Sequence, residues 1–579
     1  MKTIIQDLND IVIAGVKKSF STDLDLSKEY VTETNNENFG DYQSNVSFTL
    51  SKLLHKAPMD IATQLATFLE CGNIIEKIDV LKPGFINFVV SKDYIFSKAL
   101  EIYKEENLGI PNSGNNEKVV IDYSSPNIAK EMHVGHLRST IIGDSIARVL
   151  GQLGYDVIRQ NHIGDWGTQF GMLIEHLIDL GWKDSNEHTI SDLNALYKES
   201  KVKFDSDPNF AERSHQRVVK IQSGDKESIE LWKALTDESK THFNWMYKRM
   251  GVLLNNEDYK GESFYNDKLN KVAEDLLSQG KAKISNGAVC LFPKGFQGRD
   301  GEPVPLILRK SDGGFGYDAT DITALEYRVN TLHAKKIIYV TDTRQKMHFS
   351  MLFQAARDAN ICDDSVELTH VSFGSVLGQD GKPFKTRSGE TVTLSSLLDE
   401  AEERAKKIML EKNPQADENT LKELSRAIGI SAIKYADLSC DRIKDYIFNW
   451  ERMLAFDGNT APYIQNAYVR CRALVSKALA RGKKCELHKI ENDDEKRLVK
   501  KCIYLGSVIQ QVAKTYEPHR LCAYLYELAS SYHSFYEKYP VLTESDNSLL
   551  ETRLAISDYV SKVLAKGMYL LGVAVIEKM

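Results

Sequence analysis

Two histidines at the start of a predicted helix form the clearest chemical feature of this chain. His133 and His136 follow an apolar run at 119–121 and a Ser-Pro-Asn turn at 125–127, and apolar residues then recur three to four positions apart over 137–149. This pattern predicts a strand, a loop and an amphipathic helix, with both histidines where the helix begins. The unpaired N–H groups and partial positive charge of a helix N-terminus favour a phosphate, and imidazoles there can donate hydrogen bonds to its oxygens.

Gly135 lies between the two histidines and leaves room for a base or a ribose to approach the backbone. Taken alone, His-x-Gly-His is also compatible with an ordinary strand-to-helix turn whose histidines serve as caps. A second stretch of the same kind follows, in which a predicted strand over 157–160 leads into a polar loop at 161–171. Strand, helix and strand at this spacing predict a parallel sheet, whose ligands lie beyond the carboxyl ends of the strands, where both loops fall.

These two loops resemble the signatures of a known family. The segment Ser-Ser-Pro-Asn-Ile-Ala-Lys-Glu-Met-His-Val-Gly-His-Leu-Arg-Ser-Thr at 124–140 closely resembles the first signature of arginyl-tRNA synthetases, a class I aminoacyl-tRNA synthetase family. His-Ile-Gly-Asp-Trp-Gly at 162–167 resembles a second. The resemblance implies an arginine–tRNA ligase, which activates L-arginine with ATP to arginyl-adenylate and transfers it to the 3′ end of tRNA(Arg). It also implies that the activation step needs the tRNA.

Tyr317 and Asp321 are four residues apart at the start of a predicted helix, so they share one helix face. A buried tyrosine and a carboxylate on one face suit a guanidinium group, which needs planar hydrogen-bond acceptors and a ring to stack on. The alternative is a helix-start acid favoured by the helix dipole. An ammonium group does not need a planar partner, so the pair disfavours lysine as the substrate.

The family pattern Tyr-x-x-x-Asp, followed by Gln-x-x-His-Phe, is present in this sequence. The resemblance implies that five residues bind substrate arginine: Asp122, Asn127, Tyr317, Asp321 and Gln345. Which carboxylate faces the guanidinium and which faces the α-amine stays open, and we favour Asp321 for the guanidinium.

Residues 381–389, Gly-Lys-Pro-Phe-Lys-Thr-Arg-Ser-Gly, stand where class I synthetases normally carry Lys-Met-Ser-Lys-Ser. Thr386 replaces the second lysine, which usually stabilises the leaving pyrophosphate. Arginyl-tRNA synthetases with this departure usually carry a lysine just before His-x-Gly-His, and Lys130 holds that position here. Positive charge is thus expected from Lys130, Lys385 and Arg387, and which of them bears most on the leaving group stays open.

The predicted site has a catalytic set and an ATP-binding set beside the arginine-binding residues. The catalytic set is Lys130, His133, His136, Lys385 and Arg387. The ATP-binding set is Ser125, Pro126, Gly135, His162, Gly164 and Ser388. ATP is expected as a substrate that brings Mg²⁺ on its phosphates, and no metal site formed by protein side chains is predicted. The arginine carboxylate is already a nucleophile, so positioning and charge stabilisation are expected to supply catalysis without a general base.

The chain is too long for one hydrophobic core. The predicted fold class is α/β: a Rossmann-like parallel-sheet catalytic domain with an insertion, a small N-terminal α/β domain and a C-terminal all-helical bundle. The predicted bounds are 1–112 for the N-terminal tRNA-contacting domain, 117–395 for the catalytic domain, 396–450 for a helical connecting region and 451–579 for the anticodon-binding domain. The insertion, at about 185–255, is expected mostly to present solvated helix faces. Strands at 289–292 and 306–308 are expected in the second half of the catalytic sheet.

The charge of the chain is uneven. The net charge is −7, but the segment 460–520 contains thirteen Lys or Arg and six Asp or Glu residues, a local excess of seven positive charges. A basic zone on an acidic body fits a face that binds a polyanion, although a solvated helical surface fits equally well. Tyr463, Tyr468 and Arg470 are predicted to contact tRNA by stacking and charge neutralisation, while most tyrosines of this region are expected to pack between helices.

The composition of the chain indicates a globular protein that does not span a membrane. The chain is 42% hydrophobic and 27% charged, as in globular proteins, and no apolar run approaches the length that spans a bilayer. Eight scattered cysteines indicate reduced thiols and a cytoplasmic location. The expected partners are tRNA(Arg), L-arginine and ATP, with no membrane, and a monomer is expected.

Two alternative functions stay open. One is a small-molecule adenylating or nucleotidyl-transfer enzyme, which has no reason to carry a basic helical domain. The other is a catalytically idle RNA-binding relative, which the missing lysine keeps open.

Overall fold

The computed structural model of the chain describes residues 2–26, 28–34, 37–181, 190–382, 384 and 392–578. Three regions follow one another along it: an N-terminal α/β region, a central α/β region built on a parallel sheet, and a helical C-terminal region. Within the described ranges, no helix combines the length and apolar character needed to cross a membrane.

The N-terminal region is an antiparallel sheet of strand order β1-β2-β4-β3 with helices packed on it. Its elements are α1 (Ile4–Phe20), β1 (Val31–Glu33), β2 (Tyr42–Ser44), α2 (Val46–Leu54), α3 (Pro58–Ala66), β3 (Ile75–Leu81), β4 (Phe85–Val90) and α4 (Lys92–Tyr103).

The central region holds the parallel sheet and the helices around it. Its strands are β5 (Lys118–Asp122), β6 (Asp156–Gln160), β7 (Lys283–Ser285), β8 (Ala288–Leu291), β9 (Leu306–Arg309), β10 (Lys336–Asp342), β11 (Glu367–Phe373), β12 (Val376–Leu377) and β13 (Tyr446–Ile447). Its helices are α5 (Val134–Gln152), α6 (Thr168–Asp179), α7 (Ile190–Ser206), α8 (Pro208–Gln222), α9 (Lys226–Met250), α10 (Asn266–Ser278), α11 (Tyr317–Glu326), α12 (Lys346–Asp358), α13 (Leu394–Lys412), α14 (Glu418–Leu438) and α15 (Trp450–Met453).

The main sheet is parallel, with the order β11-β10-β5-β6, so the predicted βαβ unit β5–α5–β6 is confirmed. Its central strands β5 and β10 are apolar on both faces, as covered parallel sheets require. On β5, Val119 and Ile121 belong to the large core shared with α5, whereas Val120 belongs to a second core shared with α11 and α12. The carboxyl ends of β5, β6 and β10 therefore meet at one edge, between two helical layers.

The strands expected at 289–292 and 306–308 exist, but their placement in the main sheet is wrong. They form a separate antiparallel sheet of order β7-β8-β9. The segment between β8 and β9 contains no helix. Parallel pairing needs a crossover connection, usually a helix, whereas antiparallel strands need only a loop.

The C-terminal region is a helical bundle. Its helices are α16 (Ala461–Leu479), α17 (Asp493–Ile503), α18 (Leu505–Thr515), α19 (His519–Lys538) and α20 (Asn547–Leu570). Helix α17 contacts the N-terminal region: Lys496 and Lys500 lie 3.1 and 2.9 Å from the carboxylate of Asp41. Burial opposes ionisation of Asp41, but Lys500 and Lys496 outweigh it and lower its pKa. Part of the basic zone seen in the sequence is thus used to join two regions of the protein.

Candidate active site

Two loops meet at the carboxyl edge of the main sheet, one after β5 and one after β6. The amide of Ser125 donates to Asn161 Oδ1 at 3.0 Å, and the amide of Gly164 donates to the carbonyl of Pro126 at 3.1 Å. A Cβ atom added at Gly164 would lie 2.1 Å from Asn127 Oδ1, so only glycine allows this approach. The two sequence signatures therefore form one structural unit.

The first loop is held by helix α9 of the insertion. Ser124, Ser125 and Ala129 have φ angles of 75°, 46° and 57°, in the left-handed region that residues other than glycine rarely adopt. The buried hydroxyl of Tyr247 shares a hydrogen bond with Ser124 Oγ at 2.7 Å and accepts one from Asn161 Nδ2 at 2.9 Å. A single tyrosine thus ties both loops together. The insertion is expected mostly to present solvated faces, and beside such faces α9 also has a buried inner face that holds the loops.

A cavity of about 440 Å³ opens beside these loops. Its wall contains eight residues predicted for arginine or ATP binding: Asp122, Ser125, Asn127, His162, Gly164, Tyr317, Asp321 and Gln345. It also contains seven that the sequence analysis did not assign: Glu262, Thr320, Tyr339, Thr341, Arg344, His348 and Phe349. Residues far apart in the sequence are therefore brought into one cleft.

One end of the cleft is acidic. Asp321 Oδ2 lies 2.6 Å from His348 Nε2, and Asp318 Oδ1 lies 3.7 Å from His348 Nδ1. Burial alone would lower the pKa of His348, but the hydrogen bond and charge of Asp321, with the charge of Asp318, raise it. Tyr317 packs edge-on against His348 with ring centroids 5.3 Å apart. It is 67% exposed, so the expected burial of this tyrosine is wrong and it forms the rim of the cleft.

Glu262 is a site residue that sequence reasoning missed. It lies in the 3₁₀ turn Glu262–Tyr265, which is fixed because Asp165 accepts hydrogen bonds from the amide and hydroxyl of Ser263 at 2.8 and 2.6 Å. Burial, with the charges of Asp165 and Asp321, raises the pKa of Glu262 to about 8. Its sequence context carries no recognisable motif, and only its position beside Asp321 in the cleft reveals it.

Asp122, at the end of β5, already has a cationic partner within the protein. Its Oδ2 accepts a hydrogen bond from Arg328 at 2.6 Å, and its Oδ1 accepts one from Ser125 Oγ at 3.0 Å. Arg328 is fully buried, donates to Gln160 at 2.7 Å and lies over the ring of Tyr339. This network, which the sequence analysis did not predict, fixes Asp122 at the floor of the cleft.

The two histidines lie at the start of α5, as predicted, and outside the wall of this cavity. His133 Nδ1 accepts from the amide of Gly135 at 3.0 Å, and His136 Nδ1 accepts from the amide of His133 at 3.1 Å. Both Nδ1 atoms are acceptors, so in a neutral ring Nε2 carries the proton and can donate to a ligand. A Cβ at Gly135 would lie 2.8 Å from the His133 ring, so this glycine makes room for the histidine.

Both histidines are held in the neutral form. Burial and the positive charge of Lys130 lower the pKa of His133. Burial, the neighbouring His133 and Lys130 lower the pKa of His136 to about 3. The helix start therefore presents neutral donors next to one lysine ammonium.

Lys385, Arg387 and Ser388 of the predicted phosphate loop lie outside the described residues. The described segments that border this loop are anchored. Val134 and Leu394 pair with Val392 and Met132 through backbone hydrogen bonds of 3.1 and 2.7 Å. Phe384 stacks on the ring of Phe448 at 4.6 Å. Val392, the first described residue after the loop, therefore lies beside the helix start that carries His133 and His136.

The predicted tRNA contacts lie on α16 and mostly face other helices. Tyr468 is 7% exposed and donates its hydroxyl proton to Glu577 at 2.9 Å. Arg470 donates to His533 Nδ1 at 2.9 Å, and Tyr463 packs against the same histidine. The structure thus places all three in packing contacts, as expected for most tyrosines here, and their role toward RNA stays a prediction.

Comparison with known proteins agrees with this geometry. Residues 99–450 match the model "tRNA synthetases class I (R), catalytic domain", and residues 2–90 and 464–579 match the models "Arginyl tRNA synthetase N terminal domain" and "DALR anticodon binding domain". A parallel sheet carrying His-x-Gly-His at its edge, together with the first of these matches, defines a class I aminoacyl-tRNA synthetase.

Comparison with individual relatives identifies the family within this class. The chain is 45% identical to an arginine–tRNA ligase of Thermobifida fusca, covering 93% of this chain and 94% of the relative. It is 42% identical to one of Shewanella putrefaciens over the whole of both chains. The solved arginyl-tRNA synthetase of Plasmodium falciparum is 32% identical, covers both chains fully and superposes with a TM-score of 0.84. The chain belongs to the arginyl-tRNA synthetase family.

Proposed function

We propose that the cleft described above carries out arginine activation, with the acidic end binding arginine and the start of α5 binding the phosphates of ATP. The overall activity is the ATP-dependent ligation of arginine to tRNA. The observation that carries the site assignment is the convergence of Asp122, Asn127, Tyr317, Asp321 and Gln345 on one cavity, although they come from three separate parts of the sequence.

The guanidinium group of arginine binds between Asp321, Glu262 and the ring of Tyr317. Two carboxyl groups and an exposed ring at one end of the cleft supply planar acceptors and a stacking surface. Asp122 is paired with Arg328, so we assign it to the α-amine end, together with Asn127 and Gln345. This supports Asp321 as the partner of the guanidinium.

ATP, entering with Mg²⁺ on its phosphates, binds beside the first two loops, through Ser125, Pro126, Gly135, His162 and Gly164. His133 and His136 donate from Nε2 to the phosphates, because their Nδ1 atoms accept backbone protons. Ser388 also binds ATP, and Lys130, Lys385 and Arg387 offset the charge that develops on pyrophosphate. The anchoring of Val392 and Leu394 beside the histidines supports a phosphate-facing role for the loop before them.

The reaction then follows from positioning. An arginine carboxylate oxygen attacks the α-phosphorus of ATP in line with the bond to the β-phosphate, which breaks and releases pyrophosphate. Neutral imidazole donors and cationic side chains stabilise the oxygens on which charge grows. The 3′-terminal ribose hydroxyl of tRNA next attacks the adenylate carbonyl, and AMP leaves.

The remaining regions serve tRNA binding. We assign 1–112 to a tRNA-contacting domain, 117–395 to catalysis with an insertion at about 185–255, 396–450 to a connecting region and 451–579 to anticodon binding. Tyr463, Tyr468 and Arg470 remain the proposed contacts on α16. The protein is proposed to act as a cytoplasmic monomer.

ATP–pyrophosphate exchange tests this proposal, with arginine, lysine and glutamine supplied separately, with and without tRNA(Arg). Exchange with arginine alone, appearing only when tRNA is added, is the expected result. Exchange with arginine in the absence of tRNA would remove the tRNA requirement but keep the substrate. Exchange that prefers lysine would overturn the assignment of the acidic end, and no exchange with any amino acid would favour an idle RNA-binding relative.

A further inference from the structure

Lys130, which the proposed function places against the leaving pyrophosphate, is held from both sides by the insertion. Its ammonium nitrogen lies 4.3 Å from the centroid of the Tyr197 ring on α7. The residue before it, Ala129, has a left-handed backbone, and its amide donates to Ser239 Oγ on α9 at 2.9 Å. Ser239 is fully buried and donates in turn to the carbonyl of Leu235 at 2.7 Å, so the anchor for Ala129 is rigid.

A lysine needs such support if it is to act on a transition state. Its four-carbon stem has many rotamers, and fixing a free ammonium group costs conformational entropy at the moment of reaction. The face of a tyrosine ring attracts an ammonium through its quadrupole and leaves the other side of the cation open to a phosphate oxygen. Lys130 lies three and six residues before His133 and His136, and its charge helps to lower the pKa values of both, so the held ammonium acts electrostatically on the proposed phosphate site.

We propose that Tyr197 and Ser239 are positioning residues for amino-acid activation, which hold the ammonium and the backbone of Lys130 in place beside the histidines. The insertion thereby takes part in the first reaction step, although neither residue belongs to a sequence signature. This inference rests on the role proposed for Lys130. Thr386 replaces the second lysine of the usual signature, and Lys130 is proposed to supply the missing charge. In this arrangement an aromatic ring holds that lysine in place before the reaction.

The test compares Tyr197→Leu, Tyr197→Phe, Ser239→Ala, Lys130→Ala and the double variant Lys130→Ala/Tyr197→Leu in arginine-dependent pyrophosphate exchange with saturating tRNA. Tyr197→Phe keeps the ring face and is expected to retain kcat. Tyr197→Leu is expected to lower kcat about three- to tenfold, with the KM for arginine unchanged. In the Lys130→Ala background, Tyr197→Leu is expected to have no further effect, because the two residues act as one unit. Ser239→Ala is expected to lower kcat in the same lysine-dependent way.

Phe204→Leu is the matched control. Phe204 lies on the same helix and carries Lys201 over its ring at 5.3 Å, so this variant removes an equivalent cation–π contact away from the site. Thermal unfolding of each variant establishes that the assays use folded protein.

The outcomes separate the inference from the function on which it rests. If Lys130→Ala exchanges at the full rate, the role of Lys130 fails and the inference fails with it. If Lys130→Ala is slow but Tyr197→Leu is unaffected, faster than the parent, or equally damaging with and without the lysine, Tyr197 does not position Lys130. A loss of kcat in Phe204→Leu of the same size would assign the effect to packing of α7 and would also overturn the inference.

Discussion

The acidic end of the cleft and the start of α5 place histidine in opposite electrostatic surroundings. At the acidic end, His348 lies between Asp318 and Asp321, and its pKa is raised. At the start of α5, His133 and His136 lie beside Lys130, and both pKa values are lowered. The same side chain is thus favoured as a cation in one place and as a neutral donor in the other, because of the charges that surround it.

This difference matches the ligands proposed for each end. The acidic end carries surplus carboxyl groups, so a guanidinium brings the charge that these groups lack. The helix start already has positive charge from Lys130 and from the helix dipole, so its histidines can bind phosphate as neutral donors without taking up a proton. Substitutions at the acidic end are therefore expected to weaken arginine binding, whereas substitutions at the start of α5 are expected to slow the reaction.

Asp321→Asn is expected to have the largest effect. It removes the carboxylate charge while keeping the shape of the side chain, and loss of one partner of a desolvated charge pair predicts a roughly 100- to 1,000-fold rise in the KM for arginine. The KM for ATP should change little. Steady-state pyrophosphate exchange measures both constants.

The exposed Asp300 provides the control for that variant, because Asp300→Asn makes the same chemical change outside the cleft. A KM for arginine within threefold of the parent value in Asp321→Asn would contradict the assignment of the acidic end.

His136→Ala should produce the complementary pattern. Loss of one pre-placed donor to the phosphates predicts a fall in kcat of about 100-fold, with little change in the KM for arginine. Single-turnover formation of arginyl-adenylate isolates this step. His242→Ala is the matched control, since burial also lowers the pKa of His242 but this histidine lies on α9 and packs on Trp245. A raised KM for arginine at full kcat would erase the distinction between the two ends.

The sequence predicted the parts of the site that depend on local pattern. The strand–loop–helix at 118–152, with His133 and His136 at its helix start, is confirmed because strand and helix periodicities are local signals. Tyr317 and Asp321 share the first turns of α11 for the same reason. The convergence of Gln345 with Asp122 on one cavity follows from the rule that parallel strands end at one edge, since β10 and β5 are neighbours in the main sheet.

The parts that could not be predicted depend on contacts between distant segments. Glu262 gains its raised pKa from tertiary burial, and nothing in its neighbours along the chain encodes that. Tyr247 lies on a helix in which nine of 25 residues are charged, and only the folded structure shows its hydroxyl between two loops. Lys496 and Lys500 belong to the basic segment 460–520, whose composition fits an RNA-binding surface, yet both form ion pairs with Asp41. Charge count gives the amount of positive charge but not its partner.

Glu262→Gln is expected to have the smallest effect on arginine binding, and its effect on the pH dependence of that binding is the most specific test of the acidic end. Its pKa of about 8 means that the carboxyl is mostly protonated at neutral pH in the empty cleft. A bound guanidinium favours the carboxylate, so arginine binding must release a proton below pH 8 and must tighten as the pH rises, by up to about tenfold per pH unit, before levelling off above pH 8. His348 contacts Asp321 and can also release a proton when arginine binds, with the same effect on the pH dependence.

Calorimetry in two buffers of different ionisation enthalpy counts the protons released, and Glu262→Gln, which cannot ionise, separates the two sources. The variant should lose most of the pH dependence of arginine affinity between pH 6 and 8. If Glu262→Gln kept the parent's full pH dependence, the proton would come from His348, and Glu262 would have no place in the guanidinium site.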